Sequence, residues 1–395
     1  MGLPLSNIRI LDLSLIMAGP YCTLILGDLG AEVIKIERPG VGEGARGVPP
    51  YFFEGESAYF IAMNRNKRSM TLDLKTPRAR EIFYELAKDS DVVLDNFRPG
   101  VVKKLGVDYD TLKKINPRII CCSISGYGQT GPLNDRPAFD LIIQARGGIM
   151  SYTGEAGRMP VRMGAPMGDL AGGLFAANGI LTALYQREQT GRGQKIDISL
   201  LDCQISLLTY RGQYYFVGNE IAQPVGSGHI SIHPIRAFKT KTSDIVIDCN
   251  TQRIFAELCD VIGAPELAEN PKFNSRENRF KNKEELYDIL EKAFLTKTGA
   301  EWLELLDKRI AIGPINTVDK ALSDPQVLSR NMVVETDYGN GKKVKILGNP
   351  IKMSEIDEEV FKAPPRLSED TEQILTDILK YSPEDIEELR HQKII

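Results

Sequence analysis

Short apolar and β-branched runs alternate with longer segments that suit helices through the first half of the chain. The runs predict strands at residues 8–13, 32–37, 92–94, 118–124 and 195–200. The longer segments predict helices at residues 21–29, 77–88, 109–115, 169–186 and 201–217. Thr76 and Pro77 suit the N-cap and the first position of the second of these helices. Because short links join the alternating strands and helices, the pattern predicts an α/β fold with a parallel sheet.

The pattern changes near residues 218–228, where polar residues, glycine and proline replace the regular alternation. We interpret this stretch as a domain boundary. Beyond it the sequence predicts strands at 235–240 and 244–249, helices at 251–262, 283–294, 299–307 and about 370–380, and a hairpin at 333–347. The hairpin is centred on Asn340-Gly341, a dipeptide typical of type I′ turns.

The composition is that of a globular protein. The chain has 395 residues, of which 42% are hydrophobic and 26% charged, so two or three domains with substantial cores are expected. Lysine and arginine number 49 against 53 aspartates and glutamates, which gives a net charge of −4. A chain without net positive charge lacks the field that holds nucleic acid, so we expect no nucleic-acid partner.

Cysteine and histidine are few and scattered. The six cysteines form no C-x-x-C pair and the three histidines have no zinc spacing, so no metal site is predicted. The cysteines lie mostly in apolar runs, which favours reduced core thiols and a cytoplasmic location. No signal-peptide pattern and no apolar stretch of 18 residues is present, so no membrane association is expected. The shortage of histidine points to chemistry based on a carboxylate, a hydroxyl, a thiol or a bound cofactor.

Two familiar motifs are incomplete. The segment from Gly42 to Gly47 matches G-x-G-x-x-G, but Pro49-Pro50 follows where a dinucleotide site needs a helix to begin. We therefore favour a flexible loop. The glycine-rich segment Gly226 to His229 lacks the G-x-S-x-G spacing of a hydrolase, which leaves a serine–histidine pair as a less favoured alternative to a turn.

Asp169 is the main candidate for chemistry. It lies within the small-residue segment 164–173, at the start of a predicted helix. An aspartate in this position commonly caps the helix. The glycines on both sides, however, leave space around the carboxylate for a ligand, so the residues alone support either a cap or a functional group.

An ordered set of short motifs resembles the class III CoA-transferase family, which includes formyl-CoA and crotonobetainyl-CoA transferases. The matching segments extend from near residue 5 to past residue 350 and include residues 10–13 with 18–20, 29–38, 66–69 with 72–75, 96–100, 125–132, 137–140, 168–169, 190–194 and 313–314. Each segment is a weak signal alone, whereas their order along the chain is specific.

The resemblance implies that Asp169 is the nucleophile that attacks an acyl-CoA thioester. The reaction then passes through a mixed anhydride, an aspartyl-CoA thioester and a second anhydride with the acceptor acid. A carboxylate with an ordinary pKa near 3.9 is ionised at pH 7 and needs no base. Gly226, Ser227 and Gly228 are the candidate loop whose N–H groups stabilise developing oxyanions.

The resemblance also implies a set of CoA-binding residues. Arg38 matches the position that contacts the adenosine, and cationic side chains suit the phosphates. The full set is Met17, Ala18, Arg38, Leu72, Asp73, Leu74, Lys75, Asn96, Phe97, Arg98, Lys104, Phe139 and Asp140. Met17 replaces the glutamine of formyl-CoA transferases, which argues against assuming a formyl or oxalyl substrate.

Two other activities remain open beside CoA transfer. Racemases of the same fold need a histidine where this chain has Phe139, which favours a transferase because phenylalanine cannot move a proton. A non-catalytic CoA-binding protein is the third hypothesis. Residues 228–232 and 237–240 look most like succinyl-CoA-dependent dicarboxylate transferases, so an acyl-CoA donor such as succinyl-CoA and a small carboxylic acid are the expected partners.

The family fold implies a domain arrangement that composition alone does not give. We expect a large Rossmann-like CoA-binding domain from residues 1–218 and 323–395, and a small α+β domain from residues 226–322. The resemblance further implies that two chains interlock into a homodimer.

Overall fold

The computed structural model of the protein describes residues 2–356 and 359–395. The chain divides into two compact units. The smaller unit comprises Met150–Val161 and Val217–Pro325, and the larger unit comprises the chain up to Ile149, Arg162–Phe216 and the residues from Gln326 onwards. The predicted domains, residues 1–218 with 323–395 and residues 226–322, stay a prediction, and the two units differ from them in that residues 150–161 belong to the smaller unit. Residues 150–161 join the smaller unit through contacts such as the Gly226 N–H donating to the Gly154 carbonyl at 2.8 Å.

The described residues form thirteen strands and eighteen α-helices. The strands are β1 Arg9–Asp12, β2 Glu32–Glu37, β3 Phe52–Phe53, β4 Glu56–Ser57, β5 Lys67–Thr71, β6 Val92–Asp95, β7 Ile120–Ser125, β8 Lys195–Ser199, β9 Ile235–Phe238, β10 Ile245–Asp248, β11 Ala311–Pro314, β12 Val333–Gly339 and β13 Lys342–Leu347. The helices are α1 Ala18–Asp28, α2 Ala58–Met63, α3 Pro77–Lys88, α4 Val101–Leu105, α5 Tyr109–Leu112, α6 Asp140–Arg146, α7 Met167–Thr190, α8 Leu200–Ser206, α9 Tyr210–Gly218, α10 Gln252–Val261, α11 Glu266–Glu269, α12 Arg276–Lys281, α13 Lys283–Phe294, α14 Gly299–Leu306, α15 Val318–Leu322, α16 Pro325–Ser329, α17 Thr371–Asp377 and α18 Pro383–His391.

The larger unit is built on a six-stranded sheet in the order β5-β2-β1-β6-β7-β8. Every neighbouring pair in this sheet is parallel. Successive strands are added on one side of β1 and then on the other, which is the Rossmann order. The predicted α/β class with a Rossmann-like parallel sheet is therefore confirmed.

Alternation along the strands distributes apolar side chains to both faces of the sheet. Ile10 packs in a core with Cys22 of α1 and Ile180 of α7. Its neighbour Leu11 packs in a second core with Ile82 of α3 and Ile374 of α17. Both faces are thus covered by helices, as a parallel sheet requires. All six cysteines are buried and unpaired, in agreement with the expected reduced core thiols.

The smaller unit contains the antiparallel sheet β11-β10-β9. Its helices enclose a core that includes Phe255, Leu290 and Trp302. The predicted strand pair at 235–249 is confirmed, whereas β11 was not predicted. In the larger unit the β12-β13 hairpin turns through Asn340 and Gly341, both with the positive φ of a type I′ turn, as predicted.

Several helix predictions differ from the structure in their bounds or number, as at 169–186 and 109–115, and three further differences are informative. Helix α1 begins at Ala18 instead of residue 21, since Pro20 is tolerated in a first turn. The predicted helix 201–217 is divided into α8 and α9, with Thr209 in a left-handed conformation between them. Helix α17 is followed by a further helix, α18, which begins with a capping box at Ser382.

Strand β5 was also missed. Its sequence, Lys-Arg-Ser-Met-Thr, resembles an exposed segment, yet Lys67 is buried and pairs with Asp12 at 3.3 Å. A charged residue can be buried inside a sheet when it pairs with an opposite charge. The hydrophobic periodicity of the sequence does not reveal such a strand.

Helix α7 is the one helix of the described chain that could span a membrane by length and composition. Half of its most apolar window is buried inside the protein, and residues such as Ala176 and Ile180 belong to a core of the larger unit. A helix buried in a protein core can meet the same two criteria.

Candidate active site

Asp169 occupies the third position of α7, and the N-cap is Pro166. Among the described residues, no donor forms a hydrogen bond with the Asp169 carboxylate. Asp169 therefore does not cap the helix through its side chain, and its oxygen lone pairs are available for chemistry. The carboxylate still benefits from its position near the positive end of a helix dipole.

Burial raises the pKa of Asp169 to about 6, and the nearby charge of Asp140 contributes in the same direction. The ordinary pKa near 3.9 that we expected for Asp169 is thus wrong. Asp169 is still ionised at pH 7, as expected, because a group with a pKa of about 6 is ionised roughly ten to one at that pH. Partial desolvation leaves the ionised carboxylate a stronger nucleophile than one in water.

Asp140, the first residue of α6, fixes the start of α7. Its Oδ1 accepts the Gly168 N–H at 2.8 Å, and its Oδ2 accepts from Gln144 Nε2 at 2.7 Å. Gln144 is itself held, because its Oε1 accepts the Met163 N–H at 2.9 Å. A Cβ at Gly168 would lie 2.9 Å from Asp140 Oδ1, so glycine is required for this close approach.

The glycines after Asp169 serve internal packing. A Cβ at Gly173 would lie 2.7 Å from the Ala18 carbonyl oxygen, and one at Gly172 would lie 2.3 Å from Leu200 Cδ2. Gly173 brings α1, with Ala18 and the buried Met17 at its start, against α7 one turn beyond Asp169, whereas Gly172 makes room for Leu200 at the start of α8. The predicted residues Met17, Ala18 and Asp140 therefore belong to the surroundings of α7. Phe139 precedes Asp140 and is 75% exposed.

Tyr59, on α2, was missed by the sequence analysis. Burial raises the pKa of Tyr59, and the charge of Asp169 is the next cause, followed by those of Glu43 and Asp140. A phenol within the field of the candidate nucleophile can donate a hydrogen bond to an oxyanion formed there. A tyrosine in a short apolar helix carries no sequence signal of that role.

The segment from Gly42 to Gly47 begins no α-helix, as expected, but it is not a free loop. It contains a 3₁₀-helix at Gly44–Gly47, and its buried Arg46 donates to both oxygens of Glu37 at 2.7 Å. Glu43 pairs with the buried Lys35 at 3.0 Å and accepts the Ile16 N–H at 2.7 Å. These ion pairs hold the segment against the sheet, which corrects the flexible-loop interpretation.

A cavity of about 260 Å³ opens at the carboxyl ends of β1, β2, β5 and β6. Ligands bind parallel sheets at this edge, near the point where the strand order reverses. Its lining includes six of the predicted CoA-binding residues: Arg38, Leu72, Asp73, Leu74, Lys75 and Phe97. Leu13, Ile36 and Leu105 complete a largely apolar wall. An apolar slot with cations at its rim suits a heteroaromatic ring that carries phosphates.

Besides Met17, Ala18, Phe139 and Asp140, three predicted CoA-binding residues lie outside this lining. Asn96 accepts the Leu15 N–H and donates to the Leu15 carbonyl, both at 2.8 Å, so its side chain positions the loop after β1. Arg98 and Lys104 are exposed at the same edge of the sheet. A second groove beside the cavity contains Arg390 and Lys393. Neither residue was predicted, because Arg390 lies in the unpredicted α18 and Lys393 just after it.

The candidate loop Gly226, Ser227 and Gly228 lies in the smaller unit, where it lines a cavity of about 320 Å³ with His229 and His233. Ser227 Oγ accepts the Ala237 N–H at 3.0 Å, and His229 Nδ1 accepts the N–H groups of Ser231 and Ile232. These bonds stabilise turns, which favours the turn interpretation over a serine–histidine pair. The oxyanion role of the loop stays a prediction.

Among the described residues, no group of three histidine, cysteine, aspartate or glutamate side chains is arranged to hold a metal ion. The polar side chains identified around the start of α7 are Asp169, Asp140 and Tyr59.

Comparison with known proteins agrees with this geometry. Residues 5–371 match the model of CoA-transferase family III. The chain is 41% identical to succinyl-CoA:glutarate CoA-transferase of Mus musculus over 98% of this chain and 89% of that protein. It is 41% identical to acetyl-CoA:oxalate CoA-transferase of Acetobacter aceti over 90% of both chains. A crystal structure of a CaiB/BaiF family protein from Brucella suis superposes with a TM-score of 0.87 at 36% identity, covering 96% of this chain and all of that one.

Proposed function

The chain belongs to CoA-transferase family III, and we propose that it transfers CoA from an acyl-CoA donor to a dicarboxylic acid through covalent adducts of Asp169. The observation that carries this proposal is the state of Asp169. Its carboxylate is partly buried, has no hydrogen-bond donor among the described residues and is still ionised at pH 7. Such a group can attack a thioester without a general base.

The proposed reaction begins with two exchanges at Asp169. An Asp169 oxygen attacks the thioester carbonyl, the carbon–sulfur bond breaks, and CoA leaves as a thiolate from a mixed anhydride. The thiolate then attacks Cγ of Asp169, which releases the donor acid as a carboxylate and leaves an aspartyl-CoA thioester. Electrons and charge balance at each step, since one anion enters as another leaves.

The second half repeats these steps with the acceptor. An oxygen of the acceptor carboxylate attacks Cγ of Asp169 and releases the thiolate, which forms an anhydride between the acceptor and Asp169. The thiolate then attacks the acceptor carbonyl and frees the Asp169 carboxylate. No proton is gained or lost overall, so the reaction needs no general base such as histidine. Tyr59 is the proposed donor to the oxyanions.

A dicarboxylate is the acceptor class that the relatives favour. Their names give glutarate and oxalate as acceptors, and both are dicarboxylates. Their donors differ, being succinyl-CoA and acetyl-CoA at equal identity to this chain. We propose succinyl-CoA as the donor, because residues 228–232 and 237–240 resemble the succinyl-CoA-dependent enzymes.

An α-proton exchange reaction is less well supported. A racemase needs acid–base groups on both sides of the α-carbon, and this chain has the non-titrating, exposed Phe139 where such enzymes have histidine. Incubation of the protein with a 2-methylacyl-CoA in D₂O is expected to give no deuterium incorporation. Rapid incorporation without CoA transfer would favour the racemase instead.

We further propose that the protein forms a homodimer. Helix α9 exposes a run of apolar side chains, with Phe216 and Val217 each more than three-quarters exposed in the single chain. Leu174 and Phe175 of α7 are also exposed. Exposed large apolar side chains, when they cluster, are typical of protein interfaces.

The test of the proposed function combines a substrate matrix with trapping at Asp169. We expect thioester mass spectrometry to show CoA transfer from succinyl-CoA to a dicarboxylate, and hydroxylamine or borohydride to trap an adduct on Asp169. Asp169→Asn is expected to abolish transfer, a loss of at least about 10³-fold, because the nucleophile is removed. Its thermal unfolding midpoint at pH 7 should equal or exceed that of the wild type, because the pKa of Asp169 is raised and the ionised form is disfavoured in the folded state.

An Asp169→Asn variant with wild-type transfer would contradict the mechanism. Absence of transfer to every dicarboxylate, with transfer to monocarboxylates, would contradict the acceptor class alone. Binding of CoA by the wild type without any trapped adduct or transfer would support the non-catalytic alternative.

A further inference from the structure

A groove of about 420 Å³ lies beside the apolar cavity and shares Arg38, Asp73 and Lys75 with it. Arg390 of α18 and Lys393, just after that helix, form its other wall. The N–H of Asp73 donates to the Ile394 carbonyl at 2.8 Å, which fixes this segment against the end of β5. The two openings are thus neighbours on one edge of the sheet.

The side chains of the groove are mostly cationic. Arg38, Lys75, Arg390 and Lys393 carry positive charge, and Asp73 is the one carboxylate side chain in its lining. Arg390 is paired with Glu372 at 2.7 Å and with Glu387 at 3.3 Å. Within residues 2–356 and 359–395, the side chains of Arg38, Lys75 and Lys393 form no ion pair or hydrogen bond. Three unpaired cations in one concave surface create a local positive field in a chain whose net charge is −4.

The backbone conformation at Lys393 favours glycine, so the fold alone gives no reason for a lysine at this position. Lys393 has φ +55° and ends α18 in a Schellman motif, in which its N–H donates to the Arg390 carbonyl and the Ile394 N–H donates to the Leu389 carbonyl, both at 2.9 Å. Ile394 and Leu389 are both buried, which completes the motif. Glycine is the usual residue at this position, because a Cβ disfavours the left-handed conformation. The geometry of the helix end therefore does not explain why this residue is lysine.

The layout of the sheet indicates which part of the substrate reaches this groove. The groove lies at the end of β2 and β5, on one side of the central β1, whereas the helix of Asp169 packs against β7 and β8 on the other side. The pantetheine arm must run towards Asp169, so the nucleotide end of CoA points away from it. The group at that end is the 3′-phosphate, a dianion that suits several unpaired cations.

We propose that Lys393, together with Arg38 and Lys75, binds the 3′-phosphate of CoA, so that the segment after α18 is part of the substrate site. This proposal rests on the proposed function, since it requires CoA as the ligand. Lys393 is a binding residue that contacts the substrate far from the reacting atoms. It contributes to affinity and to discrimination against CoA lacking the 3′-phosphate.

The test compares CoA with 3′-dephospho-CoA by isothermal titration calorimetry, for the wild type and for Lys393→Gly. The wild type is expected to bind CoA at least about tenfold more tightly than 3′-dephospho-CoA. Lys393→Gly is expected to weaken CoA binding about tenfold and to leave the affinity for 3′-dephospho-CoA unchanged. Its thermal unfolding midpoint should not fall, since glycine favours this backbone conformation.

Lys380→Gly is the matched control. Lys380 also follows a helix with a positive φ of +62°, yet it lies outside the groove and donates to the Asp377 carbonyl. Its replacement should leave both affinities unchanged. Equal weakening of CoA and 3′-dephospho-CoA by Lys393→Gly, or the same loss in Lys380→Gly, would overturn the proposal.

The role of Lys393 and CoA transfer itself would be contradicted by different results. A wild type that prefers CoA, with Lys393→Gly retaining that preference, would refute the role of Lys393 and leave CoA transfer intact. A wild type that binds neither ligand and transfers no CoA would refute the proposed function, and the inference with it.

Discussion

At the residue scale, the two carboxylates at the start of α7 have different environments and different roles. Asp169 has no donor among the described residues and a pKa raised to about 6, whereas Asp140 accepts from both Gly168 and Gln144. Hydrogen bonds stabilise the charge of Asp140 and make it a poor nucleophile. Asp169, whose carboxylate is partly buried and accepts no hydrogen bond from the described residues, is therefore the one expected to react.

The raised pKa of Asp169 predicts a pH dependence of transfer. A protonated carboxyl cannot attack a thioester, so kcat/KM should fall as the pH decreases through about 6, and about a tenth of Asp169 remains ionised at pH 5. Asp140→Asn removes a like charge while its amide oxygen can still accept the Gly168 N–H. The acid limb of the kcat/KM profile should therefore move to lower pH in this variant.

Asp135→Asn provides the control, because Asp135 is exposed and pairs only with Arg136 among the described residues. It should leave the profile unchanged. An acid limb that stays in place in Asp140→Asn would show that Asp140 does not influence the ionisation of Asp169.

The sequence could identify Asp169 but not its environment. Glycines on both sides marked the residue, and the family motifs implied its role. The pKa depends on burial and on Asp140, which lies 29 positions earlier, and the field at Tyr59 depends on a helix 110 positions earlier. Such proximities arise only from the fold, so no local pattern could reveal them.

At the element scale, the contact between α1 and α7 positions the candidate nucleophile. Gly173 allows the start of α1 to approach α7, and a Cβ there would lie 2.7 Å from a backbone oxygen of α1. Because backbone atoms cannot rotate away as a side chain can, the two helices would have to separate.

Gly173→Ala is therefore expected to destabilise the protein by about 1–3 kcal/mol, the usual cost of overpacking. Transfer activity should fall in the folded fraction as well, since the separation alters the position of Asp169. Chemical denaturation followed by circular dichroism would measure the change in unfolding free energy.

Gly179→Ala is the matched control in the same helix. A Cβ at Gly179 would lie 3.4 Å from Ile196 Cγ2, an ordinary contact. Alanine favours a helix over glycine by about 1 kcal/mol, so this variant should be unchanged or more stable. Equal stability of the two variants would contradict the proposed role of the α1–α7 contact.

Apolar periodicity predicted most elements of the larger unit, including β2 and α3 with their observed bounds. It failed for β5, whose buried Lys67 depends on a distant partner, and for the boundary between α8 and α9, which depends on the backbone of Thr209. Elements stabilised by tertiary ion pairs or single left-handed residues carry no periodic signal.

At the scale of the whole molecule, the Rossmann order of the sheet brings the predicted CoA-binding residues to one edge. Arg38, Leu72 and Phe97 follow three different strands and meet in one cavity. The alternation of strands and helices predicted a parallel sheet, but the strand order and the return of the chain from Gln326 onwards were implied only by the family resemblance.

The proposed homodimer predicts a solution mass of twice that of one chain. Phe216→Asp with Val217→Asp should weaken the dimer, because charges would replace exposed apolar side chains on α9. Light scattering coupled to size-exclusion chromatography would measure the mass over a range of protein concentrations.

Val318→Asp is a suitable control, since Val318 on α15 is 76% exposed but distant in sequence from α9. It should leave the mass unchanged. A monomeric wild type, or a double variant with an unaltered dimer, would rule out the proposed interface.

The discontinuity of the larger unit has a consequence for biosynthesis. Ile374 and Ile386 complete the core that contains Leu11, whereas the core of the smaller unit comes from a single stretch around Phe255 and Trp302. Chains emerge from the ribosome in sequence order, and domains fold as units. The smaller unit can therefore fold first. One face of the nascent sheet stays partly uncovered until the final helices emerge. During that interval the exposed apolar face of the sheet is the surface that chaperones would have to protect.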